Sequence, residues 1–131
     1  MIRRDPRELA AIFAGGCVGA LARAGLVKAF PIGVGAWPWP TLVVNLLGAF
    51  ALGFFATRLQ ERLPPSAYRR PLLGTGFCGA LTTFSTFQLE LLRLLDANRD
   101  GEAAAYLVVT LVGGYVAVAL ATGLVRRARP A

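Results

Sequence analysis

Hydrophobic positions in this chain do not alternate with polar ones; they gather in long runs separated by short charged or proline-rich stretches. The first run extends from Leu9 to Ala29, with Arg23 and Lys28 late in it, and the second from Thr41 to Thr57, closed by Arg58. The third covers Pro71 to Leu89 and continues amphipathically to Leu95, and the fourth covers Ala103 to Val125 without one charge. Crossing ~30 Å of hydrocarbon takes about 20 helical residues, a length these runs reach or approach. Lipid offers backbone amides no partners, and the dyad alternation of barrel strands is missing, so the runs predict helices. The connections are Pro31–Pro40 with Trp37 and Trp39, Leu63-Pro-Pro-Ser66, and Asp96–Gly101. Tryptophan beside proline suits the headgroup belt, where an amphipathic ring is favoured. The pattern predicts an all-α membrane protein: a single integral membrane domain, residues 1–131, of four transmembrane helices over about 9–29, 41–57, 71–95 and 103–125.

Polar residues inside these runs are costly in lipid unless satisfied, and so point to function. Gly74, Gly76 and Gly79 precede Thr82-Thr83-Phe84-Ser85-Thr86. Helix propensity is low there and hydroxyls compete for backbone groups, so the third helix is expected to break in mid-membrane. Unwound backbone is tolerated in a membrane where it lines a cavity or binds ions. Its carbonyls suit a hard cation such as sodium, and helix N-terminal amides with hydroxyls suit an anion. Phe84 and Phe87, at i and i+3, share a face beyond the break, with Phe50, Phe54 and Phe55 available across the bundle. Ring edges are positive, so edge-on rings can flank an anion without a full charge. For an isolated pair of this kind in an apolar helix, core packing is the commoner role. Asn45, the strongly polar group of the second run, serves either as an ion donor or as an interhelical hydrogen bond. Tyr106 and Thr110, at i and i+4, place two more hydroxyls on one face, with Gly114 next.

Composition narrows the chemistry. Of 131 residues, 56% are hydrophobic, too oily for a soluble domain of this size. Fourteen Lys+Arg against seven Asp+Glu are placed between runs and at the ends rather than along a stripe with surface aromatics, so no nucleic-acid partner is expected. Histidine is absent, and Cys17 and Cys78 stand apart in separate apolar runs, which excludes zinc sites, imidazole acid–base catalysis and a Cys-x-x-Cys redox motif. The chain is not expected to be an enzyme. Arg3, Arg4 and Arg7 before an oily run look like a signal peptide, but the run continues too far for one. Small residues recur at Gly15/Gly19, Ala49/Gly53, Gly76/Ala80 and Gly113/Ala117/Ala121, a spacing that lets helix backbones approach closely. Four short spans enclose little interior, so a polar pathway is expected at a subunit interface, in a homodimer. No Asp, Glu, Lys or Arg lies within 41–57, 71–89 or 103–125, and Glu8 and Glu90 fall at run ends, which favours passive conduction of a small anion over proton coupling. The rival reading, a small four-helix proton-coupled multidrug exporter, needs a glutamate in the first run, and Leu9–Ala22 has none. With four spans the termini share a side. That side carries Arg3, Arg4, Arg7, Arg58, Arg62, Arg69, Arg70, Arg126, Arg127 and Arg129, against Lys28, Arg93 and Arg99 opposite, which predicts both termini in the cytoplasm.

Gly16-Cys-Val-Gly-Ala-Leu-Ala-Arg23, Thr41-Leu-Val-Val-Asn45 with Gly48 and Gly53, and Gly76-Phe-Cys-Gly-Ala-Leu-Thr-Thr-Phe-Ser-Thr-Phe87 resemble, in order and over nearly the whole chain, the Fluc/CrcB family of fluoride channels. The resemblance, rather than composition or spacing, implies fluoride: passive efflux from the cytoplasm across a prokaryotic plasma (inner) membrane, conferring fluoride resistance. It implies an antiparallel, dual-topology homodimer, or a paired homologous subunit, with two fluoride pathways and a central sodium ion at the broken third helices. Carried over by position, Phe84 and Phe87 would meet fluoride with their ring edges, Asn45 would donate to it, and Thr41 would lie toward a pore entrance. Ser85 and Thr86 would flank the pathway, Tyr106 and Thr110 would continue it, and Arg23 would sit near a vestibule or snorkel to the headgroups. The carbonyls of Gly79 and Thr82 would hold sodium. Two departures are visible: Gly114 stands where the hydroxyl stripe would continue, and the one-sided charge distribution opposes dual topology.

Overall fold

The computed structural model describes residues 5–33 and 35–128; Arg3, Arg4 and Arg129 of the charge tally lie outside them. Each hydrophobic run becomes helix. Helix α1 (Pro6–Ala29) starts on Asp5, whose carboxylate accepts from the Arg7 amide, with Pro6 in the first turn, where a missing N–H costs nothing. Helix α2 (Trp39–Glu61) carries Arg58 in its last turn, where positive charge complements the helix dipole. Helix α5 (Asp100–Arg127) has Asp100 and Glu102 in its first turn and Arg126 and Arg127 in its last. Among the described residues, α1, α2 and α5 are long and apolar enough to cross a membrane as single helices.

The third span is divided. Pro71–Cys78 winds as a π-helix, one α-turn follows as α3 (Gly79–Leu81), Thr82 and Thr83 are extended, and helix resumes as α4 (Phe84–Asp96). The expected break is therefore present, at Thr82–Thr83. The π winding is additional: the Gly79 amide reaches back five residues to the Gly74 carbonyl. Such wide turns are rare and gather at functional sites.

The small-residue stripes decide which helices touch. A Cβ on Gly15 would lie 2.0 Å from the Leu72 carbonyl oxygen, one on Gly19 2.2 Å from that of Phe77, and one on Gly76 2.5 Å from that of Ile12. Thus α1 and the π-helical segment meet backbone to backbone, at a distance only glycine permits. In the second pair, α2 with α5, the Gly53 position faces Val118 and Ala121, and the Gly113 position faces Leu46. Thr57 donates to the Gly53 carbonyl at 2.8 Å and toward the Thr122 hydroxyl at 3.2 Å.

Polar ties close both ends. Arg62 donates to the Val125 and Arg126 carbonyls at the end of α5, and Arg126 pairs with Glu61 at 2.7 Å. At the opposite end Arg99 pairs with Glu102 and donates to the carbonyl of Gly35, whose φ of +78° suits the turn it makes. Between α2, α4 and α5 a buried cluster forms from Leu42, Phe87, Leu94, Ala103 and Tyr106, flanked by Trp37, Leu46 and Leu91. The outward faces of α1 and α5 are apolar, Phe13, Leu21, Leu111 and Tyr115 among them, as lipid or a partner requires.

Candidate functional site

Two threonines and an asparagine make the break. Thr82 (φ −78°, ψ 157°) and Thr83 (φ −145°, ψ 118°) leave the helical region, and the backbone groups released find other partners. The Thr83 amide, which a continuous helix would direct to Gly79, donates to Asn45 Oδ1 at 2.8 Å, and Asn45 Nδ2 donates to the Thr83 carbonyl at 3.1 Å. One amide side chain thus pairs with both polar groups of one residue, as a neighbouring strand would. The Thr86 amide donates to Thr83 Oγ1 at 3.2 Å, so Thr83 caps α4. That hydroxyl lies 3.0 Å from Thr86 Oγ1 and 3.4 Å from Ser85 Oγ, which gathers three hydroxyls at the helix N-terminus.

Thr82 is held from three sides. Its hydroxyl donates to the Cys78 carbonyl at 3.1 Å, and its carbonyl accepts from Arg23 Nη1 at 3.2 Å. Its methyl occupies the space a side chain at Gly48 would need, 2.2 Å from the Cβ position there. The family resemblance implies a vestibule or headgroup position for Arg23; in the structure its guanidinium donates to the Thr82 carbonyl at the break. The carbonyls of Gly79 and Thr82 are both freed from the helical donors that would have used them. Carbonyl oxygens are the ligand type a hard cation such as sodium takes, and of the two that of Thr82 also accepts from Arg23.

Beyond the break runs a line of rings. Phe84 and Phe87 lie 6.1 Å apart between centroids, Phe87 and Tyr106 5.0 Å, and Tyr106 and Trp37 5.6 Å in an edge-to-face arrangement. The Phe pair is divided in environment: Phe87 is 5% exposed and Phe84 71%. Phe54 pairs with Phe55 instead, 5.8 Å away, with Arg58 over its ring.

Polar groups follow the same line. Thr41 Oγ1 donates to Glu90 Oε1, and the Tyr106 hydroxyl donates to Glu90 Oε2, each at 2.7 Å. Among the described residues the Thr110 hydroxyl, one turn along α5 from Tyr106, is buried without a partner, as is the indole N–H of Trp37. Ser85 and Thr86 are exposed on the single subunit. Of the residues singled out in the sequence, Asn45, Thr82, Thr83, Arg23 and Gly79 gather at the break, and Phe87, Tyr106, Thr41 and Thr110 along α4 and α5. Glu90 was missed. Its position at the end of an apolar run set it outside the pathway, yet it stands at i+3 from Phe87 and so on the same helix face. It also lines a cavity of about 530 Å³ together with Ile32, Gly35, Arg93, Leu94 and Arg99.

Comparison with known proteins adds a family. The profile described as "CrcB-like protein, Camphor Resistance (CrcB)" matches residues 10–122. The chain is 57% identical over 129 residues to "Fluoride-specific ion channel FluC 1" of Mycolicibacterium paratuberculosis, covering 98% of each chain. It is 58% identical to the protein of the same name from Mycobacterium bovis, again over 98% of both. Toward "Fluoride-specific ion channel FluC 2" of Nocardia farcinica the identity is 39%, covering 93% of this chain and 87% of that one.

Proposed function

The chain belongs to the CrcB family, and from that membership we propose that it is a fluoride-selective channel through which the ion leaves the cytoplasm passively. Near-full-length identity to fluoride-specific ion channels carries the reading. The geometry supplies a physical means.

Fluoride is small and tightly hydrated, so a path through lipid must replace its water with donors while offering no fixed positive charge deep enough to trap it. The line from the α4 N-terminus to Tyr106 has that character: the hydroxyls of Ser85, Thr86 and Thr110, the phenol of Tyr106, and the ring edges of Phe84 and Phe87. Asn45 uses one N–H and one lone pair on Thr83, which leaves its second N–H to donate to a passing ion. Arg23 brings positive charge to the carbonyl side of the break, where it can draw an anion toward the pathway.

The exposed face of Phe84, Ser85 and Thr86 is completed by a second subunit, in an antiparallel homodimer with two pathways. Gly79 and Thr82 of each subunit would hold sodium between them, which when bound supplies a positive charge that ties the carbonyl ends of the broken helices. The one-sided arginine distribution requires that insertion override it, or that a paired homologue take the opposite orientation. The membrane is the prokaryotic plasma membrane, and the benefit to the cell is resistance to fluoride.

Purified protein in fluoride-loaded liposomes tests the reading: fluoride emerges without a proton gradient while chloride scarcely moves. Vesicles that retain their fluoride, or that release it only under a proton gradient, refute it. Compartment reporters on both termini of the protein expressed alone test the assembly, since one-sided labelling of an active protein excludes the single-gene antiparallel dimer.

A further inference from the structure

The hydroxyls of Thr41 and Tyr106 converge on one acceptor, and that acceptor is already an anion. Both residues are almost wholly buried, at 2% and 0% exposure, and both hydroxyls reach the Glu90 carboxylate at 2.7 Å, one to each oxygen. Hydroxyls held at this distance by a carboxylate oxygen are placed as they would be for any compact, strongly accepting anion. Around them donors are in surplus. The Thr110 hydroxyl on the same face of α5 and the indole N–H of Trp37, whose ring lies 5.6 Å from that of Tyr106, are buried without acceptors among the described residues. A buried donor without an acceptor is costly, so this cluster favours an additional negative ligand. Glu90 also borders open space: it lines the cavity of about 530 Å³, and Arg93, one turn further along α4, lines the same cavity.

We infer that Glu90 is a tethered surrogate anion, whose carboxylate occupies the Thr41–Tyr106 hydroxyl pair between ions and which fluoride must displace toward Arg93 in order to pass. The inference rests on the reading that fluoride crosses this chain, and it assigns Glu90 a role in specificity. An anion that accepts hydrogen bonds less strongly than a carboxylate, chloride for instance, fails to displace it. Fluoride, the hardest and smallest of the halides, competes. The device also keeps the buried hydroxyls satisfied while no ion is present.

Competition gives a distinct kinetic signature, because a ligand that must find its site free shows an affinity reduced by the free fraction. If the carboxylate holds the pair about two-thirds of the time, its removal lowers the half-saturating fluoride concentration roughly threefold. The test is fluoride efflux from liposomes at varied internal fluoride, comparing wild type with Glu90→Gln, with chloride efflux measured alongside. The expected result is a lower half-saturating concentration and a measurable chloride leak. A residue that merely tied Thr41 and Tyr106 together would behave oppositely: maximal flux would fall with half-saturation unchanged or raised, and that result overturns the inference while leaving the channel reading intact. Wild-type vesicles that hold their fluoride would overturn both. Should Glu90→Gln not elute from size exclusion as wild type does, the wild-type infrared difference spectrum between fluoride and chloride decides. A shifted carboxylate stretch upholds displacement, and an unchanged one refutes it.

Discussion

The two halves of the third span are built on different principles. Pro71–Cys78 is held against α1 by the absence of side chains: the Gly15, Gly19 and Gly76 positions abut carbonyl oxygens of the opposing segment. Phe84–Asp96 is held against α2 and α5 by side chains: Phe87 on Tyr106, and Glu90 between Thr41 and Tyr106. The first half is a fixed mount, and the second carries the chemistry. The contrast follows from the solvent. In lipid, apolar contact gains little from hydrophobicity, so a mount is best made by close backbone approach, and polar side chains are kept for positions where they act.

The strongest challenge to this division is to enlarge the mount. Gly15→Val puts atoms where the Leu72 carbonyl already lies, and backbone cannot rotate aside as a side chain can. We expect a loss at or beyond the upper end of the roughly 1–3 kcal/mol typical of overpacking, seen as loss of the folded peak in size exclusion. Gly25→Ala on the same helix meets nothing within 4 Å and should elute and melt as wild type. If Gly15→Val melts normally, the mount is not made by backbone contact.

The second challenge falls on the chemical half. Phe87→Ile and Phe84→Ile keep an apolar side chain but remove the positive ring edge, so the protein should elute unchanged while fluoride flux drops about tenfold, equivalent to roughly 1.4 kcal/mol of barrier. Unchanged flux would return both residues to packing alone. Phe87, being buried, should also lower the melting temperature, whereas Phe84 should not.

What the sequence disclosed follows the same division. The mount was legible because small residues at four-residue spacing can do little else in a membrane helix, and Gly15/Gly19 and Gly76 do meet. The break was legible because Gly79 and Thr82-Thr83 combine poor helix propensity with competing hydroxyls. The π winding was not, since no residue pattern distinguishes a bond from Gly79 back to Gly74 from the ordinary helical one. Nor was the company Glu90 keeps: its carboxylate stands between Thr41, 49 positions earlier, and Tyr106, 16 later, and neither spacing carries a local signature. Arg23 was singled out by the family resemblance, yet its acceptor, the Thr82 carbonyl, is free for it only because the helix breaks.

A smaller effect is expected where the halves are clamped. Asn45→Leu keeps the branching of the side chain but leaves the N–H and C=O of the buried Thr83 unpaired, a loss of about 1–3 kcal/mol. Thermal melting of the purified protein should report it, together with a fall in flux as the α4 N-terminus loses its fixed position. A variant that melts as wild type would mean that the extended conformation at Thr83 is maintained without the clamp.

The subtlest test lies at the joint itself. The Thr82 methyl occupies the place of the missing Gly48 side chain, 2.2 Å from where a Cβ would stand, so one glycine on α2 sets the rotation of the residue on which the first half ends. Gly48→Ala should displace Thr82 by turning its side chain, at a modest loss because a methyl rather than backbone must yield, and should slacken the bonds from Thr82 Oγ1 to Cys78 and from Arg23 to the Thr82 carbonyl. Thr82→Ser retains the hydroxyl and removes the methyl. If the fit between these residues is what positions the break, Gly48→Ala/Thr82→Ser should recover most of the melting temperature and flux lost in Gly48→Ala, with a coupling within the roughly 0.5–3 kcal/mol found for residues in contact. Additive losses would mean that the break is positioned by Asn45 and Arg23 without Gly48, and that the joint belongs wholly to the chemical half.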